Sequence, residues 1–277
     1  MIERIITSVI ALVLFIPFLL INERTEAYSL IAICQIITVT ASTELLRMTG
    51  FMKKLYVSIP CVLVAFAVPL MTKIQEGAFF SWCGITFFVL AFYMLSASTL
   101  ARKAPVTEYA TLFMMLFYVV TSASCIVMLY LQPKGEYIYL LVFFCAWVSD
   151  IGAYFSGRAL GRHKLAPEIS PKKTVEGAVG GVIFCIIFVE IYIHIVGLTE
   201  GYQPRYLAGA VIAVVLSAVS MFGDLIASLV KRHYKIKDYG SVFPGHGGML
   251  DRFDSVLAIA PFLFIFYVIF DDFTLFV

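Results

Sequence analysis

Charge is what this sequence has least of. Only 14% of its 277 residues are Asp, Glu, Lys or Arg, while 61% are hydrophobic. Soluble domains carry roughly 25% charged residues, so a water-soluble globule is excluded. Cysteine offers no framework either. The six cysteines (Cys34, Cys61, Cys83, Cys125, Cys145, Cys185) all fall in apolar runs, and none has metal-ligand spacing to another Cys or to a His. That excludes a disulfide scaffold and a zinc site. Internal repeats, long linkers and low-complexity tails are missing. So is a small-residue cleavage site. The first apolar run, Ile5 to Ile21, ends in Asn22-Glu23-Arg24-Thr25-Glu26 and reads as a retained helix. No nucleic-acid partner is expected, and the net charge of +2 says little alone because membrane proteins arrange charge by side.

What remains is apolar sequence in span-sized pieces. A membrane helix needs about 20 predominantly apolar residues. Nine stretches qualify: 4–21, 27–47, 55–71, 78–98, 109–131, 138–157, 175–197, 206–230 and 253–271. The third is short and contains Pro60 and Pro69, so a tilt or kink is expected there. The fold class is therefore an all-α polytopic membrane protein of about nine transmembrane helices. With the N-terminus cytoplasmic and the C-terminus outside, 16 of the 20 Lys and Arg residues fall on one side, and only Arg24, Lys73, Lys134 and Arg205 fall on the other. That asymmetry obeys the positive-inside rule. It puts the two longest polar connections, 158–174 and 231–252, in the cytoplasm. Residues 1–131 then form an N-terminal region of about five helices for scaffolding, dimerisation or lipid access. Residues 132–277 form a C-terminal transmembrane region whose cytoplasmic loops, 158–174 and 231–252, are where chemistry is expected.

Charges of both signs beside a membrane are costly unless they hold something charged. Ser228 to Asp254 gathers Lys231, Arg232, Lys235, Lys237 and Arg252 with Asp238, Asp251 and Asp254 around a Gly-His-Gly-Gly turn. Ser220, Asp224, Ser228 and Lys231 precede or open it on one helical face. Asp224 faces a polar cavity, binds a cation, or pairs with Lys231 or Arg232. Asp251 and Asp254 share a face and, with Asp224, make a candidate three-carboxylate metal site suited to Mg²⁺. Gly247 and Gly248 allow backbone N–H groups to approach an anion. His246 either meets a phosphate or braces the turn.

A second cluster runs from Asp150 to Gly177. Asp150 interrupts an apolar run, and Gly157 and Gly161 carry helix-packing spacing with Ala153. Ser170-Pro171-Lys172-Lys173-Thr174 opens the next helix and is a candidate phosphate site. Thr174 is a candidate cap, although Glu176 stands one position short of a capping box. Glu44 and Arg47 read as a local pair outside the chemistry.

With these residues in view, the chain resembles the phosphatidate cytidylyltransferases. The C-terminal signature is met at Ser228, Val230, Lys231, Arg232, Lys237, Asp238, Gly240, Phe243, Pro244, His246, Gly247, Gly248, Met249, Asp251, Arg252, Phe253 and Asp254. The upstream pattern is met at Asp150 to Tyr154 and Ser170 to Gly177. The motifs cover about the last half of the chain. The resemblance implies a reaction of CTP with phosphatidic acid that gives CDP-diacylglycerol and pyrophosphate with Mg²⁺, a second metal ion being left open. It implies Asp224 and Asp251 as metal ligands, with Asp150, Asp238 and Asp254 as further ligands or orienters. Lys231, Arg232, Lys237 and Arg252 are then expected to neutralise substrate phosphates. Ser170, Lys172, Lys173, Thr174, Ser228, Gly247 and Gly248 complete the phosphate cradle. It also implies a homodimer in the lipid bilayer. A bacterial plasma membrane is expected, with the site at its cytoplasmic face. A transporter and other CTP-using lipid enzymes are the alternatives.

Overall fold

A computed structural model describes residues 27–74, 79–101, 104–243, 245, 247–269 and 275–276. The expected first span, 4–21, lies outside the described residues, as does His246. Eight helices among the described residues are long and apolar enough to cross a membrane. They are α1 (Tyr28–Met48), α2 (Leu55–Ile74), α3 (Phe79–Ala101), α4 (Val106–Tyr130), α6 (Leu140–Leu160, led in by the short α5, Gly135–Ile138), α7 (Val175–Glu200), α8 (Tyr206–His233) and α9 (Leu250–Ile269). Each coincides with an expected span. Helix is the form such runs must take, because lipid offers the backbone no hydrogen-bonding partner. The protein is an all-α polytopic membrane protein.

One element was not foreseen. Lys164–Ala166 (β1) and Ser170–Thr174 (β2) form an antiparallel hairpin, with Lys164 opposite Thr174 and Ala166 opposite Ser170. The lysine-rich motif is therefore a strand that delivers the chain to α7, rather than the helix's own first turn.

The chain forms two compact bodies. The first contains residues Met1–Gln132 and Asp238–Arg252, the second Pro133–Lys237 and Phe253–Val277.

In the first body α1, α2 and α4 pack together, with α3 against α2 and α4. Leu30, Leu45, Leu112, Leu116 and Ile126 are fully buried there. Helix α2 runs unbroken through both prolines. Proline lacks the N–H that would meet the carbonyl four residues earlier. For Pro69 that carbonyl belongs to Ala65, and the Thr38 hydroxyl of α1 donates to it at 2.6 Å. For Pro60 it belongs to Tyr56, and the Tyr93 hydroxyl of α3 donates to it at 2.6 Å. Neighbouring hydroxyls thus replace the missing helix bonds where lipid would leave them open.

In the second body the closest seam is α6 against α7. Small residues line both sides: a Cβ added to Gly177 would sit 2.8 Å from the Ala153 carbonyl oxygen, and one added to Gly181 would sit 2.8 Å from that of Ser149. The helices therefore touch backbone to backbone, as the spacing of Ala153 and Gly157 predicts. Helix α8 completes the group, and Ser149 and Ser217 share a buried hydroxyl–hydroxyl bond of 2.6 Å between α6 and α8.

Candidate active site

The α6–α7 seam ends in the hairpin. The Thr174 side chain accepts the N–H of Gly177 at 3.1 Å and caps α7. Glu176 completes no capping box. It accepts instead from the N–H groups of Arg162 (3.0 Å) and His163 (3.2 Å) and meets the His163 imidazole at 2.6 Å. These contacts fix how the hairpin leaves α6 and where β2 lies.

Beside β2 is a cavity of about 400 Å³. It is lined by Asp150, Tyr154 and Arg158 of α6, Ser170, Lys172, Lys173 and Thr174 of β2, and Asp224 of α8, among others. The two halves of the upstream motif thus meet one residue of the downstream cluster. Lys173 reaches Asp224 with a 2.7 Å ion pair and also donates to the Met221 carbonyl at 3.2 Å. Asp224 thus opens on a polar cavity and pairs with a base, but the base is the hairpin lysine, which its own helix did not offer. The reason is geometric: β2 lies alongside α8, while Lys231 is nearly two turns further along the same helix.

Ser228 donates to Asp224 at 3.3 Å, so its hydroxyl orients a carboxylate. Thr174 serves the end of α7 and is buried. Asp254 is also buried, with one oxygen accepting the Ser255 N–H at 2.8 Å. It stands within electrostatic reach of Asp224, Asp150 and Lys231. Arg232 and Lys237 are exposed, and the Arg232 guanidinium reaches the Ile169 carbonyl of the hairpin at 3.4 Å. Tyr154, the last residue of the Asp150 motif, lines the cavity, and so does Arg158, which was not among the expected site residues. Asp150, Tyr154 and Arg158 recur at steps of four, a helical face that was there to be read.

Asp238, Gly247, Gly248, Asp251 and Arg252 lie in the first body. Their turn is closed by the Phe243 N–H donating to the Gly247 carbonyl at 3.0 Å. Gly247 adopts φ +91°, and a Cβ there would crowd the Asp251 and Asp238 carboxylates at 2.9 and 3.3 Å. Glycine is required on both counts. One Asp251 oxygen accepts two backbone N–H groups, from Tyr239 at 2.7 Å and Gly248 at 2.9 Å. The Gly248 amide, expected to cradle a phosphate, thus holds a carboxylate of the protein itself. Arg252 is exposed.

Oxygen-only donors suit a hard divalent cation, and Mg²⁺ commonly takes one or two carboxylates and completes its shell with water and phosphate oxygens. Asp150 and Asp224, opening on one cavity beside phosphate-type cations, fit that requirement. A preformed cage of three or more ligating side chains is not found among the described residues. Of the other two expected carboxylates, Asp251 is engaged by its own turn and Asp254 is buried in α9.

Comparison with known proteins agrees with the motifs. Residues 2–270 match the model of the cytidylyltransferase family. A phosphatidate cytidylyltransferase of Bacillus subtilis is 33% identical over 275 residues, covering 97% of this chain and 98% of the relative. Those of Staphylococcus haemolyticus and Staphylococcus aureus are each 32% identical, covering 94% of this chain and 96% of theirs. Matched across almost its whole length, and carrying the family's charged positions on one pocket and one glycine turn, the chain belongs to the cytidylyltransferase family.

Proposed function

We propose that this protein transfers the cytidylyl group of CTP to phosphatidic acid, giving CDP-diacylglycerol and pyrophosphate for phospholipid synthesis. The observation that carries this reading is the cavity of about 400 Å³ on which Arg158, Lys172 and Lys173 converge with Asp150 and Asp224. In the reaction a phosphatidate phosphate oxygen attacks the α-phosphorus of CTP. The bond to the β-phosphate breaks, and its electron pair leaves with pyrophosphate. The attacking oxygen is already anionic near neutral pH, so no strong base is needed. The difficulty is bringing two anions together, and cations converging on one pocket lower that cost.

Lys172 and Arg158 are placed to draw in phosphate, and Lys173 is placed to exchange its carboxylate partner for one. Ser228 keeps Asp224 oriented while that exchange occurs. Asp224, with Asp150 and Asp254, would hold Mg²⁺, which would neutralise charge on the triphosphate, and the resemblance implies Asp251 as a further ligand. The resemblance supports a homodimer and a bacterial plasma membrane, with the pocket at the cytoplasmic face.

The test is turnover in detergent with phosphatidic acid and radiolabelled CTP, with and without Mg²⁺. Cytidine label entering lipid, with one pyrophosphate per event and only when Mg²⁺ is present, is the expected result. Release of nucleoside diphosphate would identify a CTP-dependent lipid kinase instead. No turnover by folded protein would refute the reading.

A further inference from the structure

Glu44 is fully buried one turn from the end of α1, inside a span, where a carboxylate is costly. It makes no direct ion pair with Arg47, whose charge acts on it from further away. One oxygen accepts the N–H of Met249 at 2.8 Å and the other that of Leu250 at 3.0 Å. These are orphan amides of the first turn of α9, which a helix cannot satisfy itself. Two glycines make room. A Cβ on Gly240 would lie 2.5 Å from Glu44 Oε1, and one on Gly248 would overlap the same carboxylate. Gly248 and Gly240, the small residue after Lys237-Asp238, thus have a shared physical reason, namely the approach of the Glu44 carboxylate from a distant helix.

Asp251 holds Tyr239 and Gly248 from within the same loop. Two carboxylates therefore grip four backbone amides at the two ends of the loop from Asp238 to Asp251. One grip is local. The other anchors the loop to a rigid helix.

We infer that Glu44 is a positioning residue for cytidylyl transfer: its carboxylate sets the shape of the turn that presents Asp238 and Asp251. This rests on the functional reading above, because it assumes that the turn's shape matters to that reaction. Gln in place of Glu44 turns an amino group toward one of the two N–H donors, leaving it without an acceptor. Hydrogen bonds to charged groups are worth enough that kcat is expected to fall about 10-fold or more. KM for CTP and phosphatidic acid should stay within about threefold, since the variant disturbs geometry and not substrate contacts.

The experiment compares the full-length protein with Glu44→Gln, Glu44→Asp and Gly240→Ala, and with the Glu44→Gln/Gly240→Ala double variant. Turnover is read together with backbone hydrogen exchange. Glu44→Asp keeps the charge and should retain more activity than Glu44→Gln. Gly240→Ala should mimic Glu44→Gln by displacing the carboxylate, and the double variant should be little worse than either single, because both remove one interaction. Faster exchange should be confined to 239–251.

Wild-type kcat in Glu44→Gln, or fully additive losses, would overturn the inference. So would exchange that rises throughout α1, α2 and α4, which would mark Glu44 as a general structural anchor. Should Glu44→Gln fail to fold, Glu44→Asp and Gly240→Ala carry the same comparison. A wild-type protein without cytidylyl transfer would refute the functional reading instead, and the exchange pattern would still decide whether Glu44 fixes the turn.

Discussion

The glycine turn and the hairpin pocket use carboxylates in opposite ways. In the turn, Glu44 and Asp251 face backbone amides, whose positions are fixed by the chain. In the pocket, Asp224 faces the amine of Lys173, which sits on a flexible stem and is about one-fifth exposed. Amide-held carboxylates give shape and do not readily let go. A lysine-held carboxylate is a pair that substrate phosphate and a cation can divide between them. The difference teaches that acids expected to serve one chemistry need not share one role.

The largest effects should come from the acids themselves. Asp224→Asn and Asp251→Asn are each expected to abolish turnover, but for separable reasons. Asp251→Asn should also lower the thermal midpoint by about 2–6 °C, since a charged acceptor of two amides is lost. Asp224→Asn should leave the midpoint near that of the parent protein. Equal midpoints for the two variants would erase the distinction, and near-normal turnover in either would remove that acid from the chemistry.

Lys173→Ala should come next, with kcat reduced about 10²-fold, the usual result of removing one fixed positive donor from a developing oxyanion. Lys173→Arg should recover part of this by keeping the charge. A loss confined to KM would make Lys173 a simple phosphate anchor.

Thr174→Ala removes the cap of α7 and should cost about 1 kcal/mol, seen as a fall of a few degrees in the midpoint with Thr174→Ser near normal. An unchanged midpoint would mean that the seam of small residues alone fixes the start of α7. The smallest effect is expected from His163→Ala. The imidazole is 79% exposed, and exposed ion pairs contribute little. Its midpoint shift should be smaller than that of Thr174→Ala, and a larger one would show the hairpin to be held chiefly through that pair.

The helices were legible because lipid leaves few choices. An apolar run long enough to cross must satisfy its own backbone, so span-sized hydropathy located all eight membrane-length helices among the described residues. The hairpin was not legible. Its strands are three and five residues long, and Ser-Pro-Lys-Lys-Thr is poor strand material. It pairs because Thr174 and Glu176 fix the chain on either side.

The pocket was half legible. Asp150, Lys172, Lys173 and Asp224 announced themselves as charges where charge is scarce, but which lysine meets Asp224 depends on the path of a strand. Glu44 was misread because local spacing offered Arg47, while its actual partners are peptide groups, which carry no side-chain signature. The service of Pro60 and Pro69 by Tyr93 and Thr38 was hidden for the same reason.

The reach from Glu44 to Met249 also has a consequence for biosynthesis. A ribosome delivers Glu44 to the membrane long before it makes the amides that receive it. Throughout that interval the second expected span carries an acid in apolar surroundings with its final partners unmade. Long-range closure of this kind is slow. The nascent chain must therefore wait for α9 before α1 is at rest, and a product truncated ahead of Met249 would keep an unanswered charge by which membrane quality control can recognise it as unfinished.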